Sequence, residues 1–363
     1  MALDDTESAL VDSLQAWAAD HVDLALQGRI DLPAPAPLWR ALATDLDLLG
    51  AGVPEAQGGM GGGMRLQLLV LRTLGAWLAA EPYRSSAVLG LEALGDGHDA
   101  LRAALLKGQA RLAWAHHEPA SRGDPARLAC RWLRDPAGGR LHGRKSGVVM
   151  ADGATHAVVS VQCDDGEAGL VLVDLQADGI NRRPLRALDG TAADELVFDG
   201  VTTAPDAWLG GADRLQRLLD LDTLAAGAEA LGLLQRLQAD TTDHLRTRRQ
   251  FGQALATFQV LQHRLADMHI ARVQAEALVW AVAGGFERAP QPERAQAVSS
   301  LALAVGRACR SAAEGAVQLH GAMGVTEELL AGRLARRALQ IEQLCADRTR
   351  HLLRLDSLLH AKR

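Results

Sequence analysis

The sequence predicts an α+β multidomain fold: an N-terminal α-helical domain over residues 1–111, a central antiparallel β-barrel or sandwich over 112–210, and a C-terminal four-helix bundle over 211–363. Three observations predict it. The first zone repeats apolar residues at three- and four-residue intervals, the second breaks into short β-rich runs, and the third returns to helical patterns far longer than the ~11-residue mean helix.

In the first zone, ESALVDSLQAWAADHV and LWRALATDLDLLG carry the helical spacing on an Ala- and Leu-rich background. DLPAPAP and PEAQGGMGGGM (Pro54 to Met64) mark loops between them. In the second zone, LHGRKSGVV, THAVVSVQC, AGLVLVDLQ and ELVFDGV alternate with Asp-Gly, Gly-Gly and Pro at strand-and-turn intervals. Strands without intervening helices favour an antiparallel barrel or sandwich. In the third, helices are expected over Ala212 to Leu245, Phe258 to Ala283, Pro292 to Leu319 and from Thr326 onward with a break, which suits an antiparallel bundle.

Composition excludes several classes. At 363 residues with 48% hydrophobic and 23% charged residues, the chain reads as an ordinary soluble protein with more than one core. No apolar run reaches the ~18 residues of a membrane span. The start, MALDDTESAL, is acidic where a signal peptide is basic, and no apolar stretch follows, so a cytoplasmic location is expected. A net charge of -6 with dispersed arginines argues against nucleic-acid binding. Cys130, Cys163, Cys309 and Cys345 lie far apart, so neither a zinc site nor a disulfide framework is indicated; buried reduced thiols are expected.

Two stretches carry more specific information. RTRRQFGQALATFQVLQHRLADM (Arg246 to Met268) sets basic residues and a Phe-Gly pair before an amphipathic helix, and QLHGAMGVTEE (Gln318 to Glu328) sets glycines after one. Together with LLGAGVPEAQGGMGGG, EPYRSSAVL, AWAHHEP and ELVFDGVTTAPDAWLGG, in that order along the chain, they resemble the acyl-CoA dehydrogenase family over nearly the whole length. HHEPASR and GVTEELLAGRLARRALQIEQL resemble most the subfamily containing the small subunit of pimeloyl-CoA dehydrogenases and partner subunits of sterol side-chain enzymes.

The resemblance implies FAD. Its diphosphate asks for a forked cation, the position that Arg248 occupies, while Arg249 is expected to face solvent. Phe251 would wall the adenine end, Gly252 lets backbone pass closely, and Gln259 offers an amide. Gln318 and Gly321 match the residues that family members direct at the adenosine half across a subunit boundary, and Ala322 stands where a second glycine is common; Gly324 would also let backbone approach. On the ring side the sequence departs from the family. His117 replaces a threonine at the flavin's pyrimidine edge, and Gly147, Val148 and Val149 replace a Trp-Ile-Thr element, which removes its aromatic wall.

The base is the open point. Dehydrogenating an acyl-CoA across its α and β carbons needs a carboxylate to take the α-proton while hydride leaves the β-carbon. The family's usual glutamate, some 25 residues past the His-Gly motif, is missing, and Asp347 is the nearest carboxylate; by resemblance it also lies at the cofactor. A minority places the base on the first long helix of the bundle, 29 residues before the Phe-Gly pair, which lands on Asp222; Glu229, seven residues on, shares its helix face. The small residues from Leu224 to Gly232 leave room there for a bulky or long acyl chain.

Three functions follow from the resemblance. The first is an FAD-dependent acyl-CoA dehydrogenase of fatty-acid or steroid side-chain degradation, in a homo- or hetero-oligomer, passing electrons to electron-transfer flavoprotein. The second is a partner subunit without a base that completes FAD sites. The third is a flavin monooxygenase or nitroalkane-oxidase-like enzyme of the same fold.

Overall fold

The computed structural model describes residues 3–32, 38–121, 127–135, 137–345 and 347–360, so positions 33–37 of the Pro-rich loop and Arg122 to Asp124 of the HHEPASR region lie outside the described residues. Helices α1 (Asp5–His21), α2 (Trp39–Thr44), α3 (Gly63–Gly75), α4 (Leu91–Leu94) and α5 (Asp99–Leu106) form the first part, with a buried π-helical turn over Tyr83–Gly90. A capping box starts α1: the Glu7 backbone donates to Asp4 Oδ1 at 2.8 Å and the Asp4 backbone to Glu7 Oε2 at 3.1 Å.

Eight strands follow: β1 (Leu112–Ala115), β2 (Arg131–Asp135), β3 (Gly138–Val149), β4 (His156–Cys163), β5 (Ala168–Asp174), β6 (Ile180–Arg186), β7 (Ala192–Thr203) and β8 (Trp208–Gly210). They form one sheet in the order β6-β7-β3-β2-β4-β5-β8, with β1 beside β4. The sheet is mixed, which corrects the purely antiparallel expectation. β1 runs parallel to the start of β4 (Leu112 opposite His156) and β2 parallel to its end (Arg131 opposite Gln162). β4 is therefore bordered by three strands. Its alternation divides two cores: Val158 packs with the helices, while Val159 and Val161 join Trp132, Leu141 and Phe198 in the sheet's own core.

The C-terminal part holds α6 (Ala212–Thr247), a hairpin of β9 (Arg249–Gln250) and β10 (Gln253–Ala254), then α7 (Gln259–Gly285), α8 (Gln291–His320), α9 (Leu330–Cys345) and α10 (Arg348–His360). The expected four helices are present, and the break after Thr326 separates α9 from a fifth, α10, that packs on α8. One apolar core runs from α1 and α3 through α6 to α9, so the two helical parts share an interior.

The small residues of α6 serve this packing. A Cβ on Gly232 would stand 1.7 Å from the Arg72 carbonyl oxygen of α3, and one on Gly75 would stand 2.2 Å from the Glu229 carbonyl oxygen. The glycines bring α3 and α6 into backbone contact; they do not open space for a bulky acyl chain. All four cysteines are buried and free.

Candidate active site

Two places gather the residues that the sequence singles out. One is a cleft of about 350 Å³ between sheet and bundle, lined by His117, Gly147, Val149, Leu344, Asp347 and Arg350. Gly147 stands in a bulge of β3, where pairing with β7 jumps between Lys145 and Val148, and its φ of +66° needs glycine. The Ser146 backbone donates to the His117 carbonyl at 2.9 Å and ties this bulge to the end of β1.

A buried charge fixes the cleft floor. Lys145, fully buried, donates to Glu118 Oε1 at 2.6 Å and Ser160 Oγ at 2.9 Å, and Glu118 also accepts the backbone N–H of Ala129 at 2.7 Å. Burial, with the charges of Arg350, Lys145 and Arg84, pushes the His117 imidazole down to about 4. At neutral pH it is uncharged, with one N–H to donate. Asp347 is exposed and caps α10, its Oδ1 accepting the Arg350 backbone N–H at 2.7 Å.

Behind the cleft lies α6. Asp222 is 9% exposed and Glu229 2%, so neither is the solvated helix carboxylate that an isolated position would suggest. Asp222 Oδ2 accepts from Trp114 Nε1 at 3.3 Å, and Trp114 stacks on His116. Asp222 Oδ1 faces Arg84 Nη1 at 3.7 Å, and Glu229 Oε2 faces Arg84 Nε at 3.8 Å. Arg84 also holds Glu81 at 2.9 Å and donates to Cys345 Sγ at 3.4 Å. Burial opposes its charge, yet Glu81 and the two α6 carboxylates hold it well above the ordinary arginine value. Glu229 Oε1 accepts from Arg337 Nε at 2.5 Å, and Arg337 reaches Asp189 Oδ2 at 2.6 Å. Burial also opposes ionisation of Asp189, but Arg337 outweighs it and keeps that carboxyl below its usual value.

Sequence reasoning found the two carboxylates and missed the cations. Arg84 stands in the quoted EPYRSSAVL and Arg337 in the quoted ARRAL run, but an arginine on a helix reads as a solvated face until packing shows otherwise.

The second place is the corner where α6 and α8 end. His244 and His320 pack ring to ring at 4.4 Å and hold the two helix ends together. Arg248, Phe251, Gln259, Gln318, Gly321 and Ala322 are all exposed there. The Arg248 backbone closes the hairpin by accepting from Leu255 N at 2.9 Å, while its side chain takes no partner among the described residues. Arg249 is exposed and turns back on the Gly252 carbonyl. Phe251 is 89% exposed and packs edge-on against Phe258, with a φ of +52° that a phenylalanine rarely adopts. Strain spent on exposing an aromatic ring points to a surface built to be covered. Gly321 has φ +64° and ψ -145°, conformations open to glycine alone. Gly324 differs from its expected role: a Cβ there would meet the Val317 carbonyl at 2.8 Å, so it serves packing against α8.

The corner fits the phosphate and adenine half of FAD. It presents a forked cation without a partner, amides at Gln259 and Gln318, and Gly252 and Gly321, where nothing lies within 4 Å of an added Cβ.

Fold, cleft and corner define a three-part α+β protein with a candidate site between sheet and bundle. The chain belongs to the acyl-CoA dehydrogenase family: the model of that family's N-terminal domain matches residues 4–111 and that of its C-terminal domain residues 210–343. Members are flavoproteins that oxidise the CH–CH bond of acyl-CoA thioesters. The chain is 30% identical to Acyl-CoA dehydrogenase FadE27 of Mycobacterium tuberculosis over 79% of its own length and 78% of that protein's. Among solved structures it superposes with TM-score 0.90 on the ChsE4-ChsE5 complex from Mycobacterium tuberculosis, at 26% identity over 99% of this chain and 98% of that one. A variant of the Tcur3481-Tcur3483 steroid ACAD gives TM-score 0.91 at 28% identity, covering 99% of both chains. No helix among the described residues is long and apolar enough to cross a membrane.

Proposed function

We propose that this chain is one subunit of a heteromeric FAD-dependent acyl-CoA dehydrogenase, in which it completes cofactor sites from its α6–α8 corner while a partner subunit's carboxylate removes the α-proton. One observation carries the reading: both candidate bases on α6 face buried guanidiniums, Asp222 that of Arg84 and Glu229 those of Arg84 and Arg337. A base needs an oxygen that the substrate's α-carbon can reach. Arg84 stands at that oxygen of Asp222, and Asp347 is committed to its helix cap.

FAD, when bound, supplies the hydride acceptor. This chain's contribution is to bind and orient: Arg248 clamps the diphosphate, Gln318 and the Gly321 backbone receive the adenosine half, and Phe251 covers the adenine. On the ring side, neutral His117 donates one hydrogen bond and the Val149 strand forms the wall. Assembly is supported by α7, which buries only Met268, Ala271, Ala275, Val279 and Val282, and leaves Val260, Ile270 and Val273 between 44% and 69% exposed. Electrons leave the complex to an electron-transfer flavoprotein. Two of the solved relatives are themselves two-protein assemblies by name, which supports the heteromer.

The test is anaerobic flavin bleaching by acyl-CoAs, with the chain alone and with a co-expressed second member of the family. Bleaching is expected only in the complex. Bleaching by the chain alone would favour a second reading, in which Asp222 is the base; the observation behind it is that Asp222 Oδ1, though buried, accepts no hydrogen bond.

A further inference from the structure

The buried guanidinium of Arg84 is bound on its own turn to Glu81 and also reaches outward to α6 and α9. The reaction dictates where an acyl chain must lie. The α-proton goes to a base and the β-hydride to a flavin, so the reacting carbons sit between the two. In this chain Leu344 lines the ring-side cleft, and the next residue along α9, Cys345, accepts a hydrogen bond at Sγ from Arg84 Nη1 at 3.4 Å. Beyond Arg84 stand the α6 carboxylates. The space between cleft and α6 is thus held by a cation.

We propose that Arg84 is a stopper that closes this chain's own acyl site. It is tethered from three elements: Glu81 on its own turn at 2.9 Å, Asp222 and Glu229 on α6 at 3.7 and 3.8 Å, and Cys345 at the end of α9. Arg337 and Asp189 anchor Glu229 in turn, at 2.5 and 2.6 Å along the chain of charges. Taking one cation out of contact with three carboxylates to admit a hydrocarbon would leave buried charge uncompensated on both sides. At Gly75 and Gly232 the α3–α6 crossing is closed by backbone contact. Arg84 already faces three carboxylates, so it is not waiting for a carboxylate on a substrate.

The inference rests on the heteromer reading for the identity of the cleft. It is tested by counting bound ligand in the purified complex by calorimetry, with octanoyl-CoA as an apolar probe and glutaryl-CoA as a carboxylate-ended one. The wild-type complex is expected to bind one octanoyl-CoA per pair of unlike subunits, and the complex with Arg84→Met to bind two. Because Arg84→Met leaves Asp222 unpaired and could fail to fold, the double variant Arg84→Met/Asp222→Asn is the companion, expected to give the same count. Two molecules per pair in the wild type would overturn the stopper, as would one per pair in a folded double variant. Glutaryl-CoA binding at the second site of the wild type, abolished in Arg84→Met, would overturn it too by making Arg84 a receptor. If the protein assembles only with itself, the heteromer reading fails while the count still decides this one: none per chain in the wild type against one in the variant.

Discussion

The middle of α6 and its C-terminal end use charge in opposite ways. At Asp222 and Glu229 every carboxylate faces a buried guanidinium, and the cations reach across from the Tyr83–Gly90 turn and from α9. About five to seven turns on, Arg248 stands exposed with no side-chain partner among the described residues, beside an uncovered Phe251 with positive φ and two glycines with open space around them. Buried charges must complete one another, while an exposed charge stays free to meet a ligand. Under the proposed function, α6 serves structure in its middle and meets the cofactor at its tip.

The largest expected effect breaks the first half of the comparison. Arg337→Met leaves Glu229 and Asp189 buried without their shared cation, and stability is expected to fall by about 3–5 kcal/mol, read from the denaturant midpoint. A loss below about 1 kcal/mol would mean that the network holds nothing.

Acid probes the cleft side next. His117, and His351 in the first turn of α10 with its ring against Ser299 Oγ of α8 at 3.2 Å, both stand at about 4 against an ordinary 6.5, for burial first and then for the neighbouring Arg350. The unfolded chain takes up these protons before the folded one does. The stability they contribute is therefore fully present above pH 6.5 and is lost as pH falls toward 4, on the order of 3 kcal/mol together after allowing for solvent. A melting temperature flat across that window would contradict the buried neutral imidazoles.

At the helix tip the expectation is confined to the ligand. Arg248→Ala should weaken FAD by roughly 10- to 100-fold, the worth of about 1.5–3 kcal/mol for charge-assisted hydrogen bonds, and leave the melting temperature of the FAD-free protein unchanged. Arg248→Lys should restore part of the affinity, since the charge returns without the fork. Equal loss of affinity and of fold would move Arg248 into the structural group.

Much of the fold was legible in the sequence. The runs between Leu112 and Gly210 announced strands because β-branched residues alternate with Asp-Gly and Gly-Gly turns, and Pro290 and Gly321 mark the ends of α8 within a residue or two. The parallel pairings of β1 and β2 with β4 were not legible, because local pattern fixes that a strand forms and not which neighbour it meets. The site shows the same division. Spacing led to Asp222 and Glu229, and motif led to Arg248, Gln318 and Gly321. What Asp222 faces is decided by Arg84 from another part of the chain, and no period or propensity records that meeting. Gly232 read as open room and is a close crossing instead, because a missing side chain in sequence does not say what fills its place.

The central claim is that the α-proton is not removed by this chain. Its most direct measurement is the anaerobic single-turnover rate of flavin reduction by an acyl-CoA in the complex carrying Asp222→Asn. The account predicts a rate within about threefold of the wild type, with FAD content unchanged, since the amide still accepts from Trp114. A fall of a thousandfold or more with FAD still bound, the scale on which a lost base tells, would contradict it and return the proton to Asp222.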